Sequence, residues 1–503
     1  EGRAEVVLCT PSAYKSEVDA ICGMDWDVAV FDEVHQMVRP GTQNYEAAMR
    51  CPTRRRVGLT GTAMSNDFLE LWALLDWANP GCAGPKRDFK EYYGSAISHG
   101  NRANATEREI GRGKERSRQL LKLIERHLLV RKKDEYLRDE LEGKTDNVVF
   151  CEMSELQRRV YKRLIESDDM QLLVRHEEPC DCGSGEKRGR CCHTSCDGPF
   201  FRSFDHARHA SEEGGRVLCP YCMVMASISL LQRVSNHLEL VKANPDERDG
   251  ERRARGLAVA DMALAEDAEE MGGLWPDADV LRLRQTRHCG KMAVLDVLLR
   301  RWSEAGDKVL LFSQSTRILD ILESFAIGRG YVFCRLDGNT LPAERQRLCD
   351  DFNAQPALFL FLISTKAGGT GLNLQGANKV VIFDPGWNPS DDLQAQDRAF
   401  RLGQRRHVDV YRLVSTGTLE ELVYSRQLYK QQKTAIALAG KLQRRLFDGV
   451  QGDRQHQGEL FGLANMFRTS FDQVQVQRLV EREASRAELF RVQEMEGVGE
   501  GDA

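Results

Sequence analysis

The stretch KVLLFSQSTRILDILESFAIGRGYVFCRLDGNTLPAERQRLCDDFNAQPALFLFLIS, residues 308–364, decides the fold class. It reads as a strand over 308–312, a helix over 316–327, a strand over 331–335, a helix over 342–352 and a strand over 358–363. Short, continuous apolar runs alternating with helical patterns predict a parallel sheet covered on both faces. Working outward, strands at 379–383 and 408–413 flank an Arg-bearing helix. The same alternation opens the chain, with strands at 5–9, 27–31 and 56–59 and helices at 11–21 and 66–77. Two α/β lobes are therefore expected, the first over 1–80 and the second over 289–435.

The middle has a different texture. Residues 81–178 are expected as a helical protrusion and linker, polar and helical by pattern to about Lys144, and 179–222 are rich in Cys, Gly and charge, as an inserted module would be. Residues 223–288 form a helical and acidic linker, with 244–276 expected as a loop or loose helix. A polar, largely helical extension follows from 436.

The 503 residues suggest about three domains. With 41% hydrophobic residues, 29% charged and a net charge of -5, the chain buries real cores and has no globally basic surface. That argues against a small DNA-binding module, but not against a large motor with a local basic groove. No apolar run approaches the roughly 18 residues that span a bilayer. No secretory leader is present, and the first residue is Glu1 rather than Met, so a start further upstream is expected. Fifteen cysteines without an export signal read as reduced thiols, some of them metal-binding.

Asp32-Glu33-Val34-His35 follows an apolar strand, and parallel sheets present ligands beyond the carboxyl ends of their strands. There Asp32 can hold Mg²⁺ and Glu33 can orient and deprotonate an attacking water. Leu59-Thr60-Gly61-Thr62 sits at another strand exit, where the hydroxyls of Thr60 and Thr62 and the Gly between them can sense a phosphate or hand its state onward. In Gln394-Ala395-Gln396-Asp397-Arg398-Ala399-Phe400-Arg401-Leu402-Gly403-Gln404, Arg398 and Arg401 are three apart, which on a helix places both guanidinium groups on one face. A positioned Arg accelerates phosphoryl transfer by roughly 10³–10⁵. Ser364-Thr365-Lys366-Ala367-Gly368-Gly369-Thr370-Gly371 follows a buried strand, and its hydroxyls and glycine amides can bind phosphate of a nucleotide or of a DNA backbone.

DEVH, LTGT, LLFSQ, RLDGNT, STKAGGTGLNL, FDPGWNP and QAQDRAFRLGQ occur in the order and style of Swi/Snf-like ATPases of helicase superfamily two, and the chain resembles that family over roughly residues 5–435. The resemblance implies two RecA-like lobes, the first incomplete, ATP and Mg²⁺ as cofactors and duplex DNA as partner. It assigns Asp32 to Mg²⁺, Glu33 to water activation, and Arg398 and Arg401 to the fingers. His35, Thr60, Thr62, Gly369, Gly371 and Gln394 would surround the nucleotide. Ser364, Thr365, Lys366, Trp387 and Asn388 would lie on or near the DNA path, although Trp387 also reads as a core-edge aromatic. The family's first motif, G-x-x-x-x-G-K-[S/T], occurs nowhere in the 503 residues. Its amides and Lys cradle the phosphates, so the chain is expected to be a truncated form, inactive alone.

Cys180, Cys182, Cys191 and Cys192 give C-x-C-x₈-C-C, two tight pairs suited to tetrahedral Zn²⁺. The spacing resembles the SEC-C zinc motif; His193 could replace Cys192, and Cys219 with Cys222 forms a further half-site. That insert, together with the segment QGDRQHQGELFG at 451–462, resembles the Hebo branch (the excision-repair-six-like-two proteins), which implies a nuclear protein of DNA repair or chromatin processing with repair or chromatin partners. Two other readings stay open: a non-catalytic DNA- or chromatin-binding scaffold derived from such a motor, and an RNA helicase.

Overall fold

The computed structural model describes residues 5–61, 68–100, 105–131, 133–137, 139–175, 178–188, 220–244, 247–275, 288–368 and 371–439. Residues up to Arg131, with those from Leu428, cluster as one compact unit, and Lys132–Gln427 as another.

In the first unit, β1 (Ala29–Phe31) and β2 (Arg56–Gly58) pair in parallel. They pack on the helix Phe68–Ala78, whose Leu71, Trp72, Leu75 and Trp77 are buried. The predicted strand at 5–9 forms no ladder, and Val6 and Leu8 are exposed. A strand needs a paired neighbour, and the described residues of this unit offer only β1 and β2. The predicted helix at 11–21 is broken at Glu17 into Pro11–Ser16 and Val18–Cys22. The polar stretch that follows does carry a long helix, Glu107–His127, opened by a capping box of Thr106 and Glu109. It crosses the helix Ala96–Gly100 where Gly100 meets Gly113; a Cβ at Gly100 would stand 2.7 Å from the Glu109 carbonyl oxygen.

The second unit holds a six-stranded, wholly parallel sheet. Its strands are β3 (Lys144–Cys151), β4 (Val309–Ser313), β5 (Phe333–Leu336), β6 (Leu360–Ser364), β7 (Lys379–Ile382) and β8 (Val408–Ser415), in the order β3-β8-β7-β4-β6-β5. Every residue of β4 and β6 is buried, as expected of strands covered on both faces. Val309 and Leu311 join one core with Leu295, Leu299 and Phe325, while Leu310 and Phe312 face another with Phe352, Leu374 and Phe400. The chain runs from β4 out to β5, back to β6, and then crosses β4 to β7. This reversal of direction opens a crevice at the carboxyl ends of β4, β6 and β7, where doubly wound sheets bind ligands.

Lys144–Cys151 lies in the stretch expected to be helical, yet it forms the edge strand β3, with Lys144 paired to Val408 and Cys151 to Ser415. Its Val148, Val149 and Phe150 suit a pleated, half-buried surface. Within the expected loop or loose helix at 244–276, Gly250–Leu264 is a helix capped by Asp249, which accepts from the amides of Glu251 and Arg252. It packs on the helix Glu155–Glu166, and Arg159 and Arg163 donate to Asp267 at 3.0 and 2.7 Å.

Candidate functional site

In the first unit, Asp32 and Glu33 leave the carboxyl end of β1. Glu33 adopts the left-handed conformation, with φ 47° and ψ 45°. A non-glycine residue there costs about 1–3 kcal/mol and persists only where its surroundings enforce it. Three contacts do so. The Glu33 amide donates to Asp32 Oδ1 at 2.9 Å, the Val34 amide donates to the Leu59 carbonyl at 3.0 Å, and Val34 is buried on β2. Gly58 makes that approach possible, since a Cβ there would lie 2.8 Å from Val34 Cγ1. His35 Nδ1 stands 2.9 Å from Thr60 Oγ1 and 3.3 Å from Glu33 Oε2. One imidazole thus links the acidic loop to the turn that opens the LTGT segment. Thr62 lies outside the described residues.

In the second unit, Ser364 ends β6 and Thr365 begins the short helix Thr365–Gly368; both are buried, while Lys366 is exposed. Ser364 and Lys366 line a cleft of about 660 Å³ with Gln314, Ser315, Arg317 and Arg345. Gly371 is exposed, with open space where a Cβ would stand. Gly369 lies outside the described residues.

Arg398 and Arg401 do not share a helix face. The helix Pro389–Gln396 ends before them, and successive turns carry Asp397–Ala399. The segment is held instead by capture from several sides. Arg398 is buried, and its carbonyl accepts from the Leu374 amide at 3.1 Å. Arg401 Nη1 donates to the Leu372 carbonyl at 3.1 Å. Buried Gln404 donates from Nε2 to the carbonyls of Gln375, Ala377 and Ala399 at 2.9, 2.7 and 3.2 Å. The Gly-rich loop that ends in LNL and the arginine segment are thereby joined through Leu372 and Leu374. Gln394 is half-buried on the preceding helix.

Several supports escape a reading of local motifs. Lys133 Nζ meets Asp397 Oδ1 at 2.8 Å and the Phe400 carbonyl at 3.0 Å, and Lys144 Nζ donates to Gln396 Oε1 at 2.9 Å. Gly143-Lys144-Thr145, the one Gly-Lys-Thr of the chain, thus enters an edge strand rather than a phosphate loop.

Trp387 is half-buried, packs against the helical core of Leu164, Leu231 and Leu419, and has Arg426 over its ring at 5.3 Å. Asn388 caps the helix Pro389–Gln396 by accepting from the Ser390 amide. Beneath them, the Asp392 carboxylate accepts from Gln427 at 2.6 Å and from the Gly386 amide at 3.3 Å. Desolvation raises its pKa to about 6. Asp384, which accepts from the Gln314 amide at 3.0 Å, is raised by desolvation to about 7 although Lys291 opposes the shift.

Cys180 and Cys182 sit on a small hairpin closed by the Pro179–Lys187 bridge, with Gly183 and Gly185 at positive φ. Cys191, Cys192, His193 and Cys219 lie outside the described residues, as does the side chain of Cys222. Among the described residues no group of three or more His, Cys, Asp or Glu side chains could hold a metal, so a zinc site is not shown. No described helix is long and apolar enough to cross a membrane.

Comparison with known proteins identifies the family. The family described as the SNF2-related domain matches residues 1–193, and the helicase conserved C-terminal domain matches 290–403. The chain belongs to the Swi/Snf-like family. It is 45% identical over 478 residues to "Switch 2" of Arabidopsis thaliana, covering 95% of this chain and 55% of that protein. Identity is 35% over 466 residues to the mouse "DNA excision repair protein ERCC-6-like 2", covering 93% and 29%. With the human "DNA excision repair protein ERCC-6" it is 32% over 443 residues, covering 88% and 25%. The chain thus spans about half the length of the first of these Swi/Snf-like relatives and under a third of the other two.

Proposed function

We propose that this Swi/Snf-like chain supplies the acidic part of lobe one and all of lobe two of an ATP-driven translocase on duplex DNA, in the Hebo branch, acting in the nucleus in DNA repair or chromatin processing. The observation that carries the reading is Glu33, held in a strained conformation between Asp32 and His35 at a strand's carboxyl end. Strain of this kind collects at functional sites.

In this account Glu33 orients the attacking water and accepts its proton. Asp32 spends one oxygen on the Glu33 amide and keeps the other as a hard donor. A single carboxylate fits Mg²⁺, which is commonly held by one or two carboxylates plus phosphates and water; when bound, the ion neutralises charge on the phosphates. Phosphate sensing is assigned to His35, Thr60 and Thr62, and nucleotide contact to Gly369, Gly371 and Gln394. Arg398 and Arg401 stabilise charge on the γ-phosphate oxygens as it leaves. Ser364, Thr365, Lys366, Trp387 and Asn388 are assigned to the duplex; the polar, basic cleft lined by Ser364, Lys366 and Arg345 supports the assignment of Ser364 and Lys366. A grip on phosphates gives weak sequence preference and steep salt dependence. Without a G-x-x-x-x-G-K-[S/T] loop the 503 residues alone turn over no ATP.

Zinc at Cys180, Cys182, Cys191 and Cys192 is proposed on thiol pairing alone. One bound zinc per chain by atomic absorption, lost in C180S/C182S, is the expected result; a zinc-free folded chain would end the proposal. The motor reading is tested by ATP hydrolysis in a longer protein that includes the phosphate loop, with duplex DNA, RNA or neither added. Stimulation by duplex DNA is expected; stimulation by RNA alone, or by neither, would favour the helicase or scaffold reading.

A further inference from the structure

The long helix of the first unit, Glu107–His127, buries Gly113, Ser117, Leu120 and Ile124 along one side. The other side carries Arg108, Arg112, Glu115, Gln119, Lys122 and Arg126. Successive members lie three or four residues apart and so share one helix face. All but Gln119 are exposed, and Lys114 and Arg118 are exposed on its flank. At 1.5 Å of rise per residue, the face from Arg108 to Arg126 is about 27 Å long.

The carboxylates nearby do not balance these cations. The helix holds seven Arg and Lys against four Glu, in a chain whose net charge is -5. Of the four, Glu109 is spent on the capping box with Thr106. Glu115 accepts from Gln119 Nε2 at 2.8 Å and lies 3.9 Å from Arg118. On the segment Lys90–Ser95, which packs beside the helix, Glu91 is taken by Arg87 at 3.1 Å. Among the described residues, Arg108, Arg112, Lys114, Lys122 and Arg126 form no ion pair.

Solubility alone does not account for this pattern. Arg108 with Arg112, Lys114 with Arg118, Arg118 with Lys122 and Lys122 with Arg126 are like-charge pairs four residues apart, which weaken a helix. Glu four residues before Lys would be equally soluble and would strengthen it. Arg108 also stands in the first turn, where the helix dipole disfavours a cation. An anion laid along the face relieves both costs. Between Arg108 and Arg126 no large apolar side chain is exposed, so the face lacks the apolar and aromatic centre that a protein partner would use. A duplex instead presents one charge per about 1.7 Å of its axis over the whole length of the face, and phosphates ask only for cations and hydrogen-bond donors.

We propose that the outer face of Glu107–His127 is a further phosphodiester-binding surface for duplex DNA, made of residues other than those assigned to the duplex in the second unit. It rests on the duplex-DNA reading above for the identity of the polyanion, and on none of the helicase motifs.

The test is anisotropy of a labelled duplex titrated with the 503-residue chain over a salt series. R112Q/K122Q removes two cations and keeps good helix formers at exposed positions, with circular dichroism to check the fold. Each lost phosphate contact reduces the magnitude of the slope of log K against log salt by about 0.9, so this variant should lose about 1.8. Between about 50 and about 200 mM salt its affinity should therefore fall about twelve-fold less than that of the unaltered chain. R108Q/R126Q should lose as much, and it serves if R112Q/K122Q folds poorly. R112K/K122R should keep the full slope. K15Q/R54Q, which removes two exposed cations from other elements of the same unit, should keep it too. An unaltered slope in both R112Q/K122Q and R108Q/R126Q, or an equal fall in K15Q/R54Q, would overturn the proposal and leave the duplex-DNA reading intact. No duplex binding by the unaltered chain at any salt would remove both. Binding of poly-glutamate that is lost in R112Q/K122Q, with the duplex slope unchanged, would assign the face to an acidic protein and refute the proposal.

Discussion

Lys291 is the firmest place to test the packing beneath the GWNP loop. Its ammonium is fully buried and lies 2.8 Å from Asn236 Oδ1, 2.8 Å from the Phe383 carbonyl and 2.7 Å from Glu420 Oε2. Glu420 also accepts from the Ser415 amide at 2.9 Å. The lysine thus ties the start of the helix Gly290–Glu304 to the end of β7, to β8 and to the end of the helix Pro220–Asn236. K291M keeps the apolar stem and removes the charge. Breaking a buried pair leaves its partner's charge uncompensated, at about 3–5 kcal/mol. Two further orphaned acceptors add about 1–3 kcal/mol each, overlapping with the first cost. A loss of at least about 4 kcal/mol is expected, a large share of the roughly 5–15 kcal/mol that holds a domain together. Urea unfolding followed by tryptophan fluorescence reads it, with Trp302 reporting from the adjacent core. K291M/E420Q, which neutralises both partners, should recover about 1–3 kcal/mol of the loss. A K291M cost under about 1 kcal/mol, or a double mutant no better than the sum of the singles, would refute the reasoning.

Three further outcomes follow from the same geometry. G58A should destabilise the first unit by about 1–3 kcal/mol by overpacking, because its Cβ would meet Val34 Cγ1 at 2.8 Å and Trp77 at 3.2 Å; V34A should relieve part of that in thermal unfolding. Q404L should cost about 2–4 kcal/mol by orphaning buried carbonyls, and hydrogen exchange should then quicken at the amides of Leu374 and Ala399, whose bonds belong to the joined segments. Asp384 and Asp392 have folded pKa values of about 7 and about 6, raised from 3.8. The folded state therefore binds more protons than the unfolded one between those values, so their contribution to stability falls as pH rises from about 4 to about 7. D384N should flatten that part of the stability profile, and an unaltered profile would count against the burial of Asp384.

The second lobe was legible because each of its strands is a short apolar run between helical patterns, so residues 308–364 specify strand, crossover and strand without outside help. The first lobe was less so, since the apolar residues at 5–9 predict a strand whose pairing depends on neighbours rather than on its own sequence. Residues 144–151 failed in the opposite sense: a polar beginning masked an edge strand whose partner, β8, is more than 250 residues away. At the site, Asp32, Glu33 and His35 could be named because strand exits collect ligands, but the left-handed Glu33 could not, as its conformation is imposed by Asp32, Val34 and Leu59. The spacing of Arg398 and Arg401 pointed to a helix face. Gln404 and Leu374 instead hold them in turns, with Lys133 and Lys144 bracing Asp397, Phe400 and Gln396 from far back in the sequence.

The central claim is that Glu33 prepares water to attack a nucleotide. Single-turnover ATP hydrolysis, in a longer protein that includes the phosphate loop and with saturating duplex DNA, tests it most directly. E33Q should bind ATP and DNA as the unaltered protein does, yet lose hydrolysis by a factor of about 10²–10⁴, the usual contribution of a general base. Hydrolysis by E33Q at the unaltered rate would contradict the account.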